Sequence, residues 1–348
     1  MSQPRRSIEQ LLHQGRLPLQ HADEAAIELE VYPSQKTWLA FFDKAALIIG
    51  AIALVLSLVF FIAYNWQHLG KMGKFALVEG ALVLTIALYV TLSFRKRFEL
   101  MRQLLLCIAS IITGSLLALF GQVYQTGADT WQLFFGWAVL IIPWVIIARL
   151  PALWLLWLGL VNVAVLQYIT VTPFLTNDYP YVIRMGTLAL INTVMLGLWM
   201  SCVQTIALHH SGVTVSAKQH WSVYIVGLLS TYFMTHFAVI YIIGYINAPT
   251  AVMTLLSWAG WCGLIYWRFY QRQVDVLMLT YLCFSVITVV MFWATQLLPN
   301  DMGSGAFLIL ALLLIGMTSS AVIWLRGIAN GHHHNADAQV TTQGADHE

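Results

Sequence analysis

The residues in this chain best suited to chemistry are few, and they sit at the edges of long apolar runs. Glu79 is a carboxylate a short way inside such a run, and His68 lies in the polar turn before it. Gln122, Tyr124 and Asp129 follow the next run, in a stretch 121–131 without Lys or Arg. Together these side chains could serve acid/base chemistry, bind a solute or contact a partner, but their spacing in sequence specifies no reaction. Two readings of Glu79 stand side by side. It either snorkels to the nearby interface as part of helix capping, or it shares a polar pocket with His68, Gln122, Tyr124 and Asp129, which an ionisable group inside hydrocarbon would favour. Three further polar residues, Asn162, Asn192 and His236, lie deep in other apolar runs. A hydrogen bond between the two asparagines suits interhelical glue and requires no substrate. His236, beside Thr231, Tyr232 and Thr235, suits either a packed histidine or a proton relay.

The elements that must position these groups are membrane-spanning helices. With 59% hydrophobic and 9% charged residues and a mean hydropathy of +0.76, the chain carries far more apolar surface than a soluble domain can bury. A helix needs roughly 20 apolar residues to cross about 30 Å of hydrocarbon. Segments of that kind are expected near 45–64, 75–93, 104–120, 132–148, 152–168, 183–203, 221–243, 251–268, 274–297 and 305–325. The expected fold class is therefore an all-α, polytopic membrane bundle of about ten transmembrane helices. The count falls to eight if 132–168, broken only by Arg149-Leu150-Pro151, is a re-entrant hairpin. Pro143 is expected to kink the fourth span. Of the 17 Lys and Arg residues, fourteen fall on the side of the N-terminus and three (Lys71, Lys74, Arg184) on the other. This positive-inside split predicts that both termini are cytoplasmic. The first 44 residues are too polar for a cleaved signal peptide.

Residues 1–44 are expected to form a cytoplasmic helical cap. A capping box at Ser7-Ile8-Glu9-Gln10 starts one helix and a second runs from about Leu19 to Val31. Ser34 then caps an amphipathic lead-in with Trp38, Phe41 and Phe42 at the membrane surface. Residues 45–150 and 151–326 make two membrane regions of four and six spans, and 327–348 a disordered cytoplasmic tail. The tail's His332, His333, His334 and His347 read as a polar segment without a metal role. Cys107, Cys202, Cys262 and Cys283 are scattered in apolar segments and read as packing residues, not as a disulfide or metal set. Gly121 and Gly127 suit tight turns. Trp66, Trp131, Trp221 and Trp267, near span ends, fit interfacial belts. The dispersed basic residues give no nucleic-acid footprint, and no cofactor is expected. Without a phosphate loop, HExxH or GxSxG, a nucleotide-driven pump, a zincin and an ordinary serine hydrolase are disfavoured.

Three short pieces carry a family resemblance. Phe61-Ile62-Ala63-Tyr64-Asn65-Trp66, then Leu69-Gly70-Lys71 with Lys74-Phe75-Ala76-Leu77-Val78-Glu79, and Gly121-Gln122-Val123-Tyr124-Gln125-Thr126-Gly127-Ala128-Asp129 resemble the bacterial membrane proteins grouped as domain of unknown function 2157. The resemblance covers residues of about 8–150 and implies a bacterial inner-membrane protein without an assigned activity. Solute or lipid handling in a transporter-like bundle is slightly favoured. A non-enzymatic scaffold or sensor binding protein partners is the alternative, and a lipid-modifying enzyme using Glu79, Asp129 and His68 is a third option. Expected partners are the lipid bilayer and a membrane protein or second copy of the chain.

Overall fold

The computed structural model describes residues 8, 11–12, 17–18, 21–28, 35–65, 67–95, 98–125, 127–172, 180–210, 221–243, 248–298 and 304–345. Of residues 180, 203–210, 241–243, 248, 304 and 331–345 it describes the backbone alone. The described chain is helical throughout: α1 (Ala22–Glu28), α2 (Gln35–Tyr64), α3 (Lys71–Ser93), α4 (Glu99–Tyr124), α5 (Thr130–Ala148), α6 (Pro151–Val171), α7 (Pro180–His210), α8 (Trp221–Ile243), α9 (Ala248–Tyr266), α10 (Val276–Leu297) and α11 (Ser304–Ala345). Every expected span coincides with one of α2 to α11. Nine of these helices are long and apolar enough to cross a membrane. The exception is α9, in which Pro249, Thr250, Thr254, Ser257 and two tryptophans dilute the aliphatic residues.

Several boundaries differ from expectation. No breaker separates Trp38 from Ala46, so the amphipathic lead-in and the first span form one uninterrupted 30-residue helix. The third span runs three residues or more beyond each expected end, and Gly121 lies within it, not in a turn. Packing explains the extension, because Val123 and Tyr124 continue apolar contacts begun lower in the helix. The backbone of α11 stays helical to Ala345, past the point at which an irregular tail was expected. Its Ala, Gln, Asn and His residues contain no proline to stop it. The capping-box residues Ser7, Glu9 and Gln10, the cap Ser34 and Trp66 lie outside the described residues.

Helices α5 and α6 are continuous, about 28 and 31 Å long at 1.5 Å per residue. Arg149, in the short link between them, adopts φ 49°. Trp131 at the start of α5 meets Tyr168 near the end of α6, with ring centroids 5.0 Å apart. Each of the two helices is long and apolar enough to cross a membrane. Pro143 is accommodated inside α5. It leaves the Val139 carbonyl without its helical N–H donor, and the chain divides into two compact units between Val139 and Leu140.

The first unit comprises residues 1–127 and 140–150. Its core joins Leu58 and Ile62 of α2, Phe75, Val78 and Leu82 of α3, and Ile112, Leu116, Leu119 and Val123 of α4. The end of α2, the start of α3 and the end of α4 therefore meet at one end of this unit. Ala109, Ser110, Thr113 and Gly114 on the buried face of α4 let helices approach closely, with the hydroxyls bonded back into their own helix. At the opposite end, Arg102 donates to the Ser93 carbonyl and Gln103 to the Ala148 carbonyl. No residue of α2 is buried.

The second unit comprises residues 128–139 and 151–348 and is built around α8, which packs against α6, α7, α9 and α10. Its core includes Leu158, Leu196, Val223, Val226, Trp261, Phe269 and Leu279. Gly186 of α7 permits a close approach to α8: a Cβ there would sit 2.9 Å from the Phe237 ring.

Candidate functional site

In the first unit the three sequence pieces come together. Asn65 ends α2 and builds the turn into α3: its Nδ2 donates to the Phe61 carbonyl at 2.9 Å, and its own carbonyl accepts from the His68 and Leu69 amides. Ile62, Phe75 and Val123, one from each piece, share a single apolar cluster. Above it the Tyr124 ring lies 5.7 Å from Phe75 and 4.8 Å from Phe120. Offset aromatic pairs of this kind add about 0.5–1.5 kcal/mol beyond area burial. Gln125 caps α4 in the left-handed conformation at φ 44°, and Gly127 follows at φ 62°, as its turn role requires.

Around this end the polar candidates of the first unit lie at the surface. His68, Glu79 and Gln122 are exposed, and Tyr124 is half exposed. Glu79 follows Phe75 by one helical turn, on the flank of α3 away from Lys74, Val78 and Thr85, which are buried. Lys74 therefore projects from a different face of α3 than Glu79. Asp129 is exposed and falls in the second unit.

The second unit holds the more developed polar system. Asn192 is fully buried and Asn162 nearly so, and they bond reciprocally: Asn192 Nδ2 donates to Asn162 Oδ1 at 2.6 Å, and Asn162 Nδ2 to Asn192 Oδ1 at 3.3 Å. Each Nδ2 also donates to its own helix, to Leu158 and Leu188 carbonyls at 2.8 Å. Both amides are thereby satisfied across α6 and α7. A second set was not anticipated. Ser230 of α8 pairs with Thr193 of α7 at 3.1 Å and accepts from Trp261 Nε1 at 3.0 Å. Ser285 of α10 pairs with Thr235 at 2.6 Å and accepts from Trp258 Nε1 at 3.0 Å. Trp199 Nε1 donates to Ser222 at 2.9 Å. These three indoles are interior donors, whereas Trp221 and Trp267 are the half-exposed kind expected of a belt. The sequence signal was present in Ser222 and Ser230, eight residues and so about two turns apart on α8.

His236 is half buried and stacks obliquely on Tyr232 at 5.9 Å. The neighbouring hydroxyls that a relay would use are engaged elsewhere, Thr231 with the Gly227 carbonyl and Thr235 with Ser285. All four cysteines are free thiols. Among the buried side-chain atoms of the described residues, Trp157 Nε1 and the Nε atoms of Arg102 and Arg184 lack a partner. An open groove of ≈ 570 Å³ lies on one flank of α10 and α11, remote in sequence from every candidate above.

Fold and composition define a multi-pass, all-helical membrane protein. Residues 9–154 match the family described as "Predicted membrane protein (DUF2157)", which covers the first unit's helices and all three converging pieces. No curated protein and no solved structure matches the chain.

Proposed function

We propose that the protein is a non-enzymatic scaffold of the bacterial cytoplasmic membrane, with both termini cytoplasmic. In this reading the second unit is a rigid anchor. The exposed end of the first unit, with His68, Glu79 and Gln122, faces outward to a protein partner. The observation that carries this reading is the closure of the second unit's core. The interhelical hydroxyls and amides of α6 to α10 bond to each other or to indole N–H groups, so the side chains that a solute path would use are already committed. A transporter keeps polar groups available along a hydrated route near the midplane. Orientation is supported by the fourteen-to-three charge split, to which the first unit contributes Arg95, Arg102 and Arg149 opposite Lys71 and Lys74.

Cysteine accessibility in intact membranes tests both parts. On a background lacking the native cysteines, Ala128→Cys should react with an impermeant thiol reagent from outside, whereas Ser230→Cys and Ser285→Cys should stay unreactive until detergent is added. Reaction of both serine-site cysteines with a small hydrophilic reagent would reveal a water path and return the reading to solute handling. Reaction of Ala128→Cys from the cytoplasm alone would invert the topology.

A further inference from the structure

Between α9 and α10 the chain makes a π-helical turn, Trp267–Arg272, that places two arginines one turn apart. Phe269 anchors this turn, being fully buried in the second unit's core. Arg268 is half buried and lies over the Phe269 ring, with its Nη2 on Gln273 Oε1 at 2.9 Å. Arg272 is exposed and lies 5.1 Å over the Trp267 ring. Like charges at this spacing repel and call for an anion between them. The one carboxylate in 266–280 is Asp275, and it is committed. Its Oδ1 caps α10 through the Leu277 and Met278 amides, and its Oδ2 accepts the Tyr224 hydroxyl at 2.9 Å.

An aromatic ladder ties this turn to the last helix. Tyr266 stacks on Tyr270 at 4.8 Å, and Tyr270 on Trp324 of α11 at 6.0 Å. The ≈ 570 Å³ groove runs between α10 and α11, with Leu282, Val286, Leu312, Gly316, Met317 and Ser320 among its lining residues. Its near rim at Leu282 is seven residues, about 10 Å, along α10 from Asp275. On α11 its rim at Ala321 is three residues, about 5 Å, from Trp324. A pair of guanidiniums, an aromatic ladder and an apolar groove are thus arranged in the order of a phospholipid's parts.

We propose that this flank of the second unit is a binding site for one anionic phospholipid, its phosphate held by Arg268 and Arg272 and an acyl chain laid in the α10–α11 groove. Guanidinium pairs suit phosphate geometry, and basic sites at helix ends on membrane proteins take anionic headgroups.

The test uses the purified full chain in detergent, with phosphatidylglycerol, phosphatidylcholine of matched acyl chains and inorganic phosphate as probes. Lipid adducts are read by native mass spectrometry, and stability by thermal unfolding followed through tryptophan fluorescence. Phosphatidylglycerol should bind in preference to phosphatidylcholine and raise the midpoint, and inorganic phosphate should not. Each arginine is worth about a fivefold factor, so Arg268→Gln/Arg272→Gln should weaken phosphatidylglycerol roughly thirtyfold and erase the preference. Gly316→Leu should weaken both lipids. Gly316 lines the groove, and no atom lies within 4 Å of a Cβ placed there. If the double variant does not fold, Arg272→Gln alone alters an exposed side chain and should still cost about fivefold. Equal phosphatidylglycerol binding by the wild type and the arginine variant would overturn the headgroup assignment. Stabilisation by inorganic phosphate as large as that by lipid would overturn the lipid, and an unaffected Gly316→Leu would overturn the groove.

Discussion

Replacing Asn162 by Leu should destabilise the second unit by leaving Asn192 half satisfied. Asn192 is fully buried, so water cannot take the vacated place. Its Nδ2 keeps the bond to the Leu188 carbonyl but loses Asn162 Oδ1, and its own Oδ1 loses the Asn162 donor. An orphaned buried polar group costs about 1–3 kcal/mol in soluble proteins. Hydrogen bonds between membrane helices average about 0.6 kcal/mol and reach about 1.7, because the separated helices find other partners. With one of two donors surviving, the expected loss for Asn162→Leu is about 1.5 kcal/mol, and Asn192→Leu should cost a similar amount. The double change leaves no orphan, so it should lose about 1 kcal/mol less than the sum of the singles. Reversible unfolding in mixed micelles, followed by tryptophan fluorescence, gives the three free energies. Overpacking by the slightly larger leucine enters each single variant and cancels to first order in the cycle. A coupling within about 0.3 kcal/mol of zero would refute the claim that the two amides stabilise each other.

Gly186→Leu should be the most damaging glycine substitution in the second unit, by about 1–3 kcal/mol, because the rigid Phe237 ring occupies the space. Gly227→Ala should cost much less, since the crowding atoms are the flexible end of Met278; thermal unfolding of both variants in detergent checks the ranking. Asp275→Ala removes the α10 cap and the acceptor for Tyr224 together and should cost about 2 kcal/mol, whereas Tyr224→Phe should cost about half of that in the same assay. Glu79→Gln alters an exposed side chain and should leave stability within about 0.5 kcal/mol of the wild type. Should the Glu79→Gln variant restore a deletion strain as fully as the wild type, the partner surface proposed at this end would not include Glu79.

The spans were legible because each needs only length and hydrophobicity, and every one reappears as a helix. Their ends were not, because packing partners decide where a helix stops. Tyr124 stays helical through its contacts with Phe120 and Phe75, which no local composition announces. The Asn162–Asn192 bond was readable from depth arithmetic on adjacent antiparallel helices. The indole–hydroxyl bonds were not, since Trp258 and Trp261 look, by composition alone, like any membrane tryptophans. Whether an indole points to the headgroups or to a serine on α8 depends on the rotation of α9 about its axis, which hydropathy in so mixed a helix does not fix. The polar cluster around Glu79 was legible only as a shared side of the bundle. The end of the first unit does bring the three family-like pieces together, but through Ile62, Phe75 and Val123, with the charged and amide groups left around the rim.

That division of labour bears on how polar residues inside membrane proteins are read. Depth alone makes Asn162, Asn192, Ser230 and Ser285 look like a path for a solute or a proton, because ionisable and polar groups in hydrocarbon are costly and usually functional. Satisfaction reverses the inference. A hydroxyl that already accepts from an indole and pairs with a threonine gains little by releasing them for a passing solute, and opening α8 from α7, α9 and α10 would break these bonds together. The same network that would have to be dismantled for transport ties α8 to three of its neighbours, α7, α9 and α10. By contrast, α2 has no buried residue and neither does the described part of α11 at 305–330. Both helices present exposed apolar residues along their length, among them Leu54 and Phe60 of α2 and Phe307 and Ile323 of α11. Rigidity at the centre of the second unit and availability at the edges are what an anchor requires, and they are the opposite of what alternating access requires.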